Sequence, residues 1–262
     1  MPAAPASLGN RELVHHKATV NSKEYRNFSI LYDPSRYASL WVAYPLTESH
    51  TTGNSDFKTF QKDPDVNGAQ TNTWDGSYGV SYSGTNYPNT VYARGHQIPA
   101  ADRKTKELRE QTYYATNMTP QIQDGFNGSV WSNLETAIRG LVSSNDTLYI
   151  ATGPVYQKVG GSETVKTIVN TRDNKTIPVA NYYYKVLLKV KWSGTTVSSA
   201  KAIGFWFTHT DYPKGTAYDD SQFIQRVDQI EEWTGFDFFA SLPAAIATEA
   251  EKNTSWTDFK NF

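Results

Sequence analysis

At 262 residues, with 7 Trp, 17 Tyr and 12 Phe, the chain is long enough to bury a large core without covalent staples. The absence of cysteine excludes thiol catalysis, thiolate metal sites and disulfides, leaving oxygen and nitrogen donors for any metal and oxygen for any nucleophile. A formal net charge of −1 excludes a protein that coats polyanions by bulk attraction, so an anionic partner needs a local basic footprint.

Residues 1–20 open on Met1-Pro2-Ala3-Ala4-Pro5-Ala6-Ser7 and read as an N-terminal tail or linker. This opening lacks the basic and apolar regions of a signal peptide, and no stretch is long and apolar enough to span a bilayer. Such a composition suits the remnant of a removed targeting segment, so the expected setting is secreted or periplasmic, with no membrane partner. Phe28 to Tyr32 and Leu40 to Tyr44 read as strands, separated by the turn chemistry of Asp33-Pro34-Ser35. From Thr51 to Asn89 the chain is rich in Gly, Asn, Asp, Ser and Thr without a helical period, as in a long functional loop.

Tyr92-Ala93-Arg94-Gly95-His96 follows, and then a basic run in which Arg94, Arg103, Lys104, Lys106 and Arg109 outnumber Asp102 and Glu107. Tyr113 to Met118 reads as a short strand or connector ending at Pro120. Asp124 to Gly128 reads as a turn entering a helix. Trp131, Leu134, Ile138, Leu141 and Val142 form one apolar stripe of that helix, while Glu135 and Arg139 lie on a different, outward face. Thr147 to Pro154, Tyr182 to Val190 and Ala202 to Thr208 read as strands; Ser221 to Trp233 and Ala244 to Glu251 read as helical. With no internal repeat and no linker, residues 21–262 are expected to form a single α+β domain with a central, mostly antiparallel sheet flanked by helices.

Phosphodiester hydrolysis needs a base for water, positive charge on the phosphate oxygens, and stabilisation of the leaving oxyanion. His96 sits in a glycine-adjacent, base-flanked loop where a neutral imidazole can act as that base. Asn127 and Glu135 suit a hydrated divalent ion, because Mg²⁺ keeps most of its waters and takes few protein ligands. Taken singly, each has a plainer reading: a hydrogen-bonded histidine, a cap asparagine, and a surface pair of Glu135 with Arg139.

Together the residues resemble the DNA/RNA non-specific endonuclease family of ββα-metal nucleases. The resemblance rests on Ala93-Arg94-Gly95-His96, Asn117-Met118-Thr119-Pro120-Gln121, Phe126-Asn127-Gly128, Trp131-Ser132-Asn133-Leu134-Glu135 and Arg139, in family order and spacing. It implies a ββα-metal motif in which His96 is the general base, Asn127 binds Mg²⁺ directly and Glu135 holds metal-bound waters. Asn117 then braces the histidine segment, and Arg94 and Arg139 face phosphate. The implied activity is endonucleolytic cleavage of DNA and RNA without sugar or base preference, leaving 5′-phosphate ends. Mn²⁺ or Ca²⁺ are substitutes for Mg²⁺, and an inhibitor protein is a further candidate partner.

Two positions depart from the family pattern. Ala93 stands where the signature has Asp, and Pro45 stands where family members carry a transition-state arginine, so Arg103 or Lys104 would have to compensate. These departures motivate the alternative of a weakened relative that binds nucleic acid or another polyanion without efficient cleavage. Asp63-Pro64-Asp65-Val66-Asn67-Gly68 matches half a calcium loop, but Trp74 occupies the position of its bidentate glutamate, so a turn is expected. His15, His16, His50 and His209 lack companion carboxylates at ligand spacing and read as surface or strand-end residues. Tyr182 to Tyr184 and Phe205 to Phe207 read as core and surface alternating, more than as base-stacking platforms.

Overall fold

Neighbouring side chains on a strand point to opposite faces, and the long strands of this chain are apolar on both. Tyr183 and Leu187 enter one core while Tyr184, Val186 and Leu188 enter another, the pattern of a sheet covered on two sides. The computed structural model describes residues 1–73, 80–81, 92–143 and 147–262. Its first elements are β1 (Glu12–Val20), β2 (Lys23–Asp33), β3 (Ala38–Leu46), α1 (Glu48–Thr51), β4 (Val80–Ser81), β5 (Tyr92–His96), α2 (Lys106–Gln111) and β6 (Met118–Ile122). A π-helical segment (Gln123–Trp131) then leads into α3 (Ser132–Arg139). The remainder comprises β7 (Leu148–Val155), β8 (Lys166–Asn170), β9 (Thr176–Val179), β10 (Tyr182–Ser193), β11 (Thr196–Thr208), β12 (Ile224–Gln225), α4 (Val227–Thr234), α5 (Ala244–Glu251) and α6 (Trp256–Lys260).

A seven-stranded sheet runs β1-β2-β3-β7-β10-β11-β12, with every neighbouring pair antiparallel. On one face Phe126, Val130, Trp131, Leu134 and Ile138 pack against Ile30, Tyr44, Ile150, Tyr183 and Phe207. On the other, Val227 and Ile230 of α4, Phe238, Phe239 and Ala250 of α5 cover Trp41, Tyr184, Val186 and Trp206. The two aromatic triplets therefore alternate between two cores and leave no stacking platform. Helices flank a large antiparallel sheet, as the sequence predicts.

Several elements differ from expectation. Residues 12–20, expected as the end of a tail, form edge strand β1, because alternate residues such as Val14 and His16 pack inward. The chain passes through Pro120 in β6, which proline tolerates because that ribbon has only two strands. Asp124 to Gly128 lies inside the π-helical segment. Helical structure after Ser221 begins only at Val227, since Ile224 and Gln225 pair with β11, and Gly235 ends α4 at φ 72°. The Asp63–Gly68 segment is a turn: Asp63 accepts the Asp65 amide, while Glu12 accepts those of Asn67 and Gly68. Trp74 lies outside the described residues.

The β1–β2 register shifts between His16 and Lys17, so Asn27 is an extra, wholly buried residue of β2. Asn27 Nδ2 donates to the Leu108 carbonyl (2.8 Å) and Gln111 Oε1 (2.9 Å), and its Oδ1 accepts from Arg103 Nε (2.5 Å). The bulge thereby fastens α2 and the segment before it to the sheet.

Candidate active site

β5 and β6 form a separate two-stranded antiparallel ribbon in which Arg94 faces Pro120 and His96 faces Met118. Tyr183 of β10 donates its hydroxyl hydrogen toward Thr119 Oγ1 (3.0 Å) and the Pro120 carbonyl (3.1 Å), tying the ribbon to the first sheet face. Gly95 is required here, because a Cβ would stand 2.3 Å from the Gln121 side chain. Asn117 is wholly buried and braces the next segment: its Oδ1 accepts the Ile98 amide (3.0 Å), and its Nδ2 donates to the carbonyls of Ile98 (3.0 Å) and Thr112 (2.8 Å). Gln97 adds a hydrogen bond to the Ser39 carbonyl of β3.

These contacts fix His96 between the rings of Tyr113 (5.0 Å, edge-on) and Phe60 (5.8 Å). Burial, followed by the positive charges of Arg109 and Arg94, lowers its pKa to about 4, against which a hydrogen bond to the Arg94 carbonyl acts. The imidazole is therefore neutral at pH 7. Its Nε2 is buried and makes no hydrogen bond, so Nδ1 is the nitrogen that serves the carbonyl. The result is a neutral ring with an uncommitted lone pair on Nε2. Arg94 lies 3.4 Å above the Phe60 ring and donates to the Thr73 carbonyl (2.8 Å).

On α3, Glu135 does not look outward as its helical position suggests. Its Oε1 is buried without a hydrogen-bond partner. Burial pushes its pKa up to about 7; the Lys185 charge opposes this, Asp102 reinforces it, and Arg139 and the Trp131 side chain, acting as a hydrogen-bond donor, oppose it. Arg139 pairs with Asp102 (2.9 Å) and also donates to Thr136 Oγ1 (3.0 Å), while Tyr44 donates to the other oxygen of Asp102 (3.0 Å). Asp102 lies in the segment that follows His96, so this ion pair stitches α3 to the histidine-bearing stretch. In place of the expected surface pair with Glu135, Arg139 takes the buried Asp102 from elsewhere in the sequence. Asp102 and Lys185 were not singled out by sequence reasoning; the available signal was a lysine in a strand apolar on both faces.

Asn127 lies in the π-helical segment, which packs against both β5 and β6, and its Nδ2 donates to Gln123 Oε1 (3.3 Å). A Cβ on Gly125 would stand 1.9 Å from Asp211, so glycine lets this segment close on the loop at 211–212. Beside it opens a cleft of about 590 Å³ between Gln123, Gly128 and Ser129 on one wall and Asp211, Tyr212 and Lys214 on the other. An orphaned carboxylate oxygen on Glu135 and an orphaned imidazole nitrogen on His96 are acceptors suited to a hydrated cation and its waters.

Other candidate residues are internal. Arg103 is wholly buried and donates to Asn27, to the Pro45 carbonyl and to the Asp102 carbonyl, so it does not replace the arginine missing at Pro45. Arg109 is also buried, donating to the carbonyls of Phe57 and Ala100. His50 caps α1, and His209 bonds both the Ile122 amide and the Ala180 carbonyl. His16 departs from expectation: it is buried 2.8 Å from Asp63 and 3.9 Å from Asp65, brought together by the 60s turn. These donors lie within 4.8 Å of one another, close enough to hold a cation. Asp63 is also engaged by His16, the Thr116 hydroxyl and the Asp65 amide, so the cluster ties the 60s turn to β1 and to the segment at Thr116.

A neutral imidazole, a carboxylate and arginines gather on adjoining elements here, and the comparisons with known proteins make the chain a phosphodiester hydrolase of the nuclease class. The chain belongs to the DNA/RNA non-specific endonuclease family, whose model matches residues 9–245. It is 30% identical to a nuclease of Serratia marcescens over 239 residues, covering 89% of this chain and 77% of that one. It is 28% identical to nuclease C1 of Cunninghamella echinulata var. echinulata, covering 84% and 82%. With the mitochondrial nuclease 1 of Schizosaccharomyces pombe it shares 31% identity over 60% of this chain, spanning about half (49%) of that protein. The fold is that of endonuclease G in its inhibitor complex, with a TM-score of 0.63, 22% identity and 89% coverage of each chain.

Proposed function

We propose that the protein is a sugar-non-specific endonuclease that hydrolyses DNA and RNA, with His96 as general base. The carrying observation is the neutral, positioned imidazole whose Nε2 has no partner. In this reading Nε2 takes a proton from water as the water oxygen bonds to phosphorus. The P–O3′ bond breaks and the departing 3′ oxygen takes a proton from solvent water, leaving a 5′-phosphate and a 3′-hydroxyl. Asn117 holds the histidine segment rigid, and Arg94 and Arg139 are the arginines that face phosphate oxygens. Asn127 would hold Mg²⁺ and Glu135 its waters; the ion, when bound, would supply positive charge for the departing 3′ oxygen, as Mn²⁺ or Ca²⁺ would. Recognition confined to backbone phosphate accounts for cleavage without base preference. A secreted or periplasmic setting is tested by fractionation. The inhibitor complex of endonuclease G motivates a search for an inhibitor partner.

Purified protein is incubated with supercoiled plasmid and with RNA, with and without EDTA, alongside His96→Ala. Both substrates should be cut in the metal-dependent arm only, and His96→Ala should lose roughly 10²- to 10⁴-fold. Chelator-insensitive cutting, or full activity in His96→Ala, overturns the proposal. The second reading, salt-sensitive binding without turnover, is favoured by Ala93, Pro45 and the internal use of Arg103. Robust turnover by the unmodified chain dismisses it.

A further inference from the structure

Between Asp173 and Asp211 the chain carries no acidic residue, while Lys189, Lys191 and Lys201 fall together in the β10–β11 hairpin. Lys189 stands opposite Lys201, and Lys191 opposite Ser199. Side chains alternate along a strand, so Lys189 and Lys191 share the face of Tyr183 and Leu187, the one that carries the β5–β6 ribbon. α6 supplies the rest of the patch. Lys189 Nζ lies 5.6 Å over the Phe259 ring and donates to the Lys260 carbonyl (3.0 Å). Lys191 and Lys201 meet over a single ring, their Nζ atoms 4.2 Å and 5.7 Å from the centre of Phe262. Two ammoniums over one ring repel each other. Among the described residues Lys191, Lys201 and Lys260 form no ion pair, unlike Lys17, Lys175 and Lys252. The one acid of α6, Asp258, lies in its first turn. Next to Lys191, Trp192 is 57% exposed, which is uncommon for so large an apolar ring.

We infer that this hairpin end is a second contact for the polynucleotide substrate: phosphates of the strand flanking the cleaved bond sit between Lys191, Lys201 and Lys260, and an unpaired base stacks on Trp192. The inference rests on the nuclease reading given above and extends it to the far end of β10. An acidic protein segment would match the lysines alone, whereas a polynucleotide offers phosphates to the lysines and a base face to the indole. Lys191 lies eight positions beyond Tyr183, which holds the ribbon, a span of roughly 27 Å of strand. At about 3.4 Å per phosphate along a stacked strand, this corresponds to about eight nucleotides. Short substrates therefore reach the ribbon without reaching the hairpin.

The test uses the full chain with the triple substitution Lys191→Gln, Lys201→Gln and Lys260→Gln, and separately with Trp192→Ala, all at exposed or half-buried positions outside the core. Binding of a fluorescent single strand of about 30 nucleotides, several times the span to be bridged, is followed by anisotropy in EDTA across a salt series. The triple variant should bind about 10-fold more weakly or worse in low salt, with a salt slope smaller by about 2, as three lost single-strand contacts require. Trp192→Ala should lose about 5- to 100-fold in affinity at an unchanged slope. With Mg²⁺ present, both variants should lose kcat/KM on the long strand while cutting a strand of about four nucleotides, too short to span the two contacts, at the parent's rate. Unchanged affinity and slope in the triple variant, or equal losses on long and short strands, overturn the inference. So does parent-like affinity in Trp192→Ala, which makes the surface a general polyanion or acidic-protein contact. If the variants lose binding in EDTA as expected but the parent cleaves neither strand, the contact stands and the nuclease reading falls.

Discussion

Asn117 spends its whole amide on three backbone groups, two of them at Ile98 and one at Thr112. Each such bond is worth about 1 kcal/mol net, and orphaning buried partners adds to the loss. Asn117→Ala should therefore destabilise the fold by about 3 kcal/mol or more, measured as a shift in urea midpoint at unchanged slope. It should also lower kcat at conditions where the variant is fully folded, because the segment from His96 to Ile98 loses its splint. The candidate residues His96, Asn117, Asn127 and Glu135 were legible in the sequence from motif order alone. Their environments were not. Phe60 and Tyr113 enclose His96 from distant positions, so no local spacing could reveal its surroundings.

Among the elements, α4 and α5 bring carboxylates together on the second sheet face. Burial raises Glu231 to about 7, its bond from the Phe238 amide opposes this, and Asp237 and Asp228 raise it further. Glu251 is raised to about 7 by burial, then by Glu231, Asp237 and Asp228. A carboxyl with a higher pKa in the fold than in the unfolded chain binds its proton more tightly when folded. Its stabilising contribution is full below the unfolded pKa near 4.5 and fades as pH rises through about 7. Glu251→Gln should accordingly melt above the parent at pH 8 and level with it near pH 4, as read by thermal scans. Equal Tm differences at both values would contradict this. Apolar alternation and turn residues announced the central strands β2, β3, β7, β10 and β11, and helical periodicity announced α3 and, within Ser221 to Trp233, α4. By contrast β1 is masked by His15, His16 and Lys17, and β8 and β9 are short runs broken by polar residues. The π-helical segment has no distinctive spacing of its own.

At the scale of the molecule, a broad sheet carries the β5–β6 ribbon and α3 on one side and α4 and α5 on the other. The extra residue in β2 joins distant parts of this arrangement, since Asn27 is bonded to Arg103, Leu108 and Gln111, some 76 to 84 positions away. The sheet edge and the stretch that follows His96 are thus one unit of local opening. Amide exchange of β1 should slow or quicken in step with that of residues 100–111, and Asn27→Ala should accelerate both together while leaving the β10–β11 pair protected. A nuclease organised this way loses its active conformation when its outermost strand peels off, well before the central strands melt.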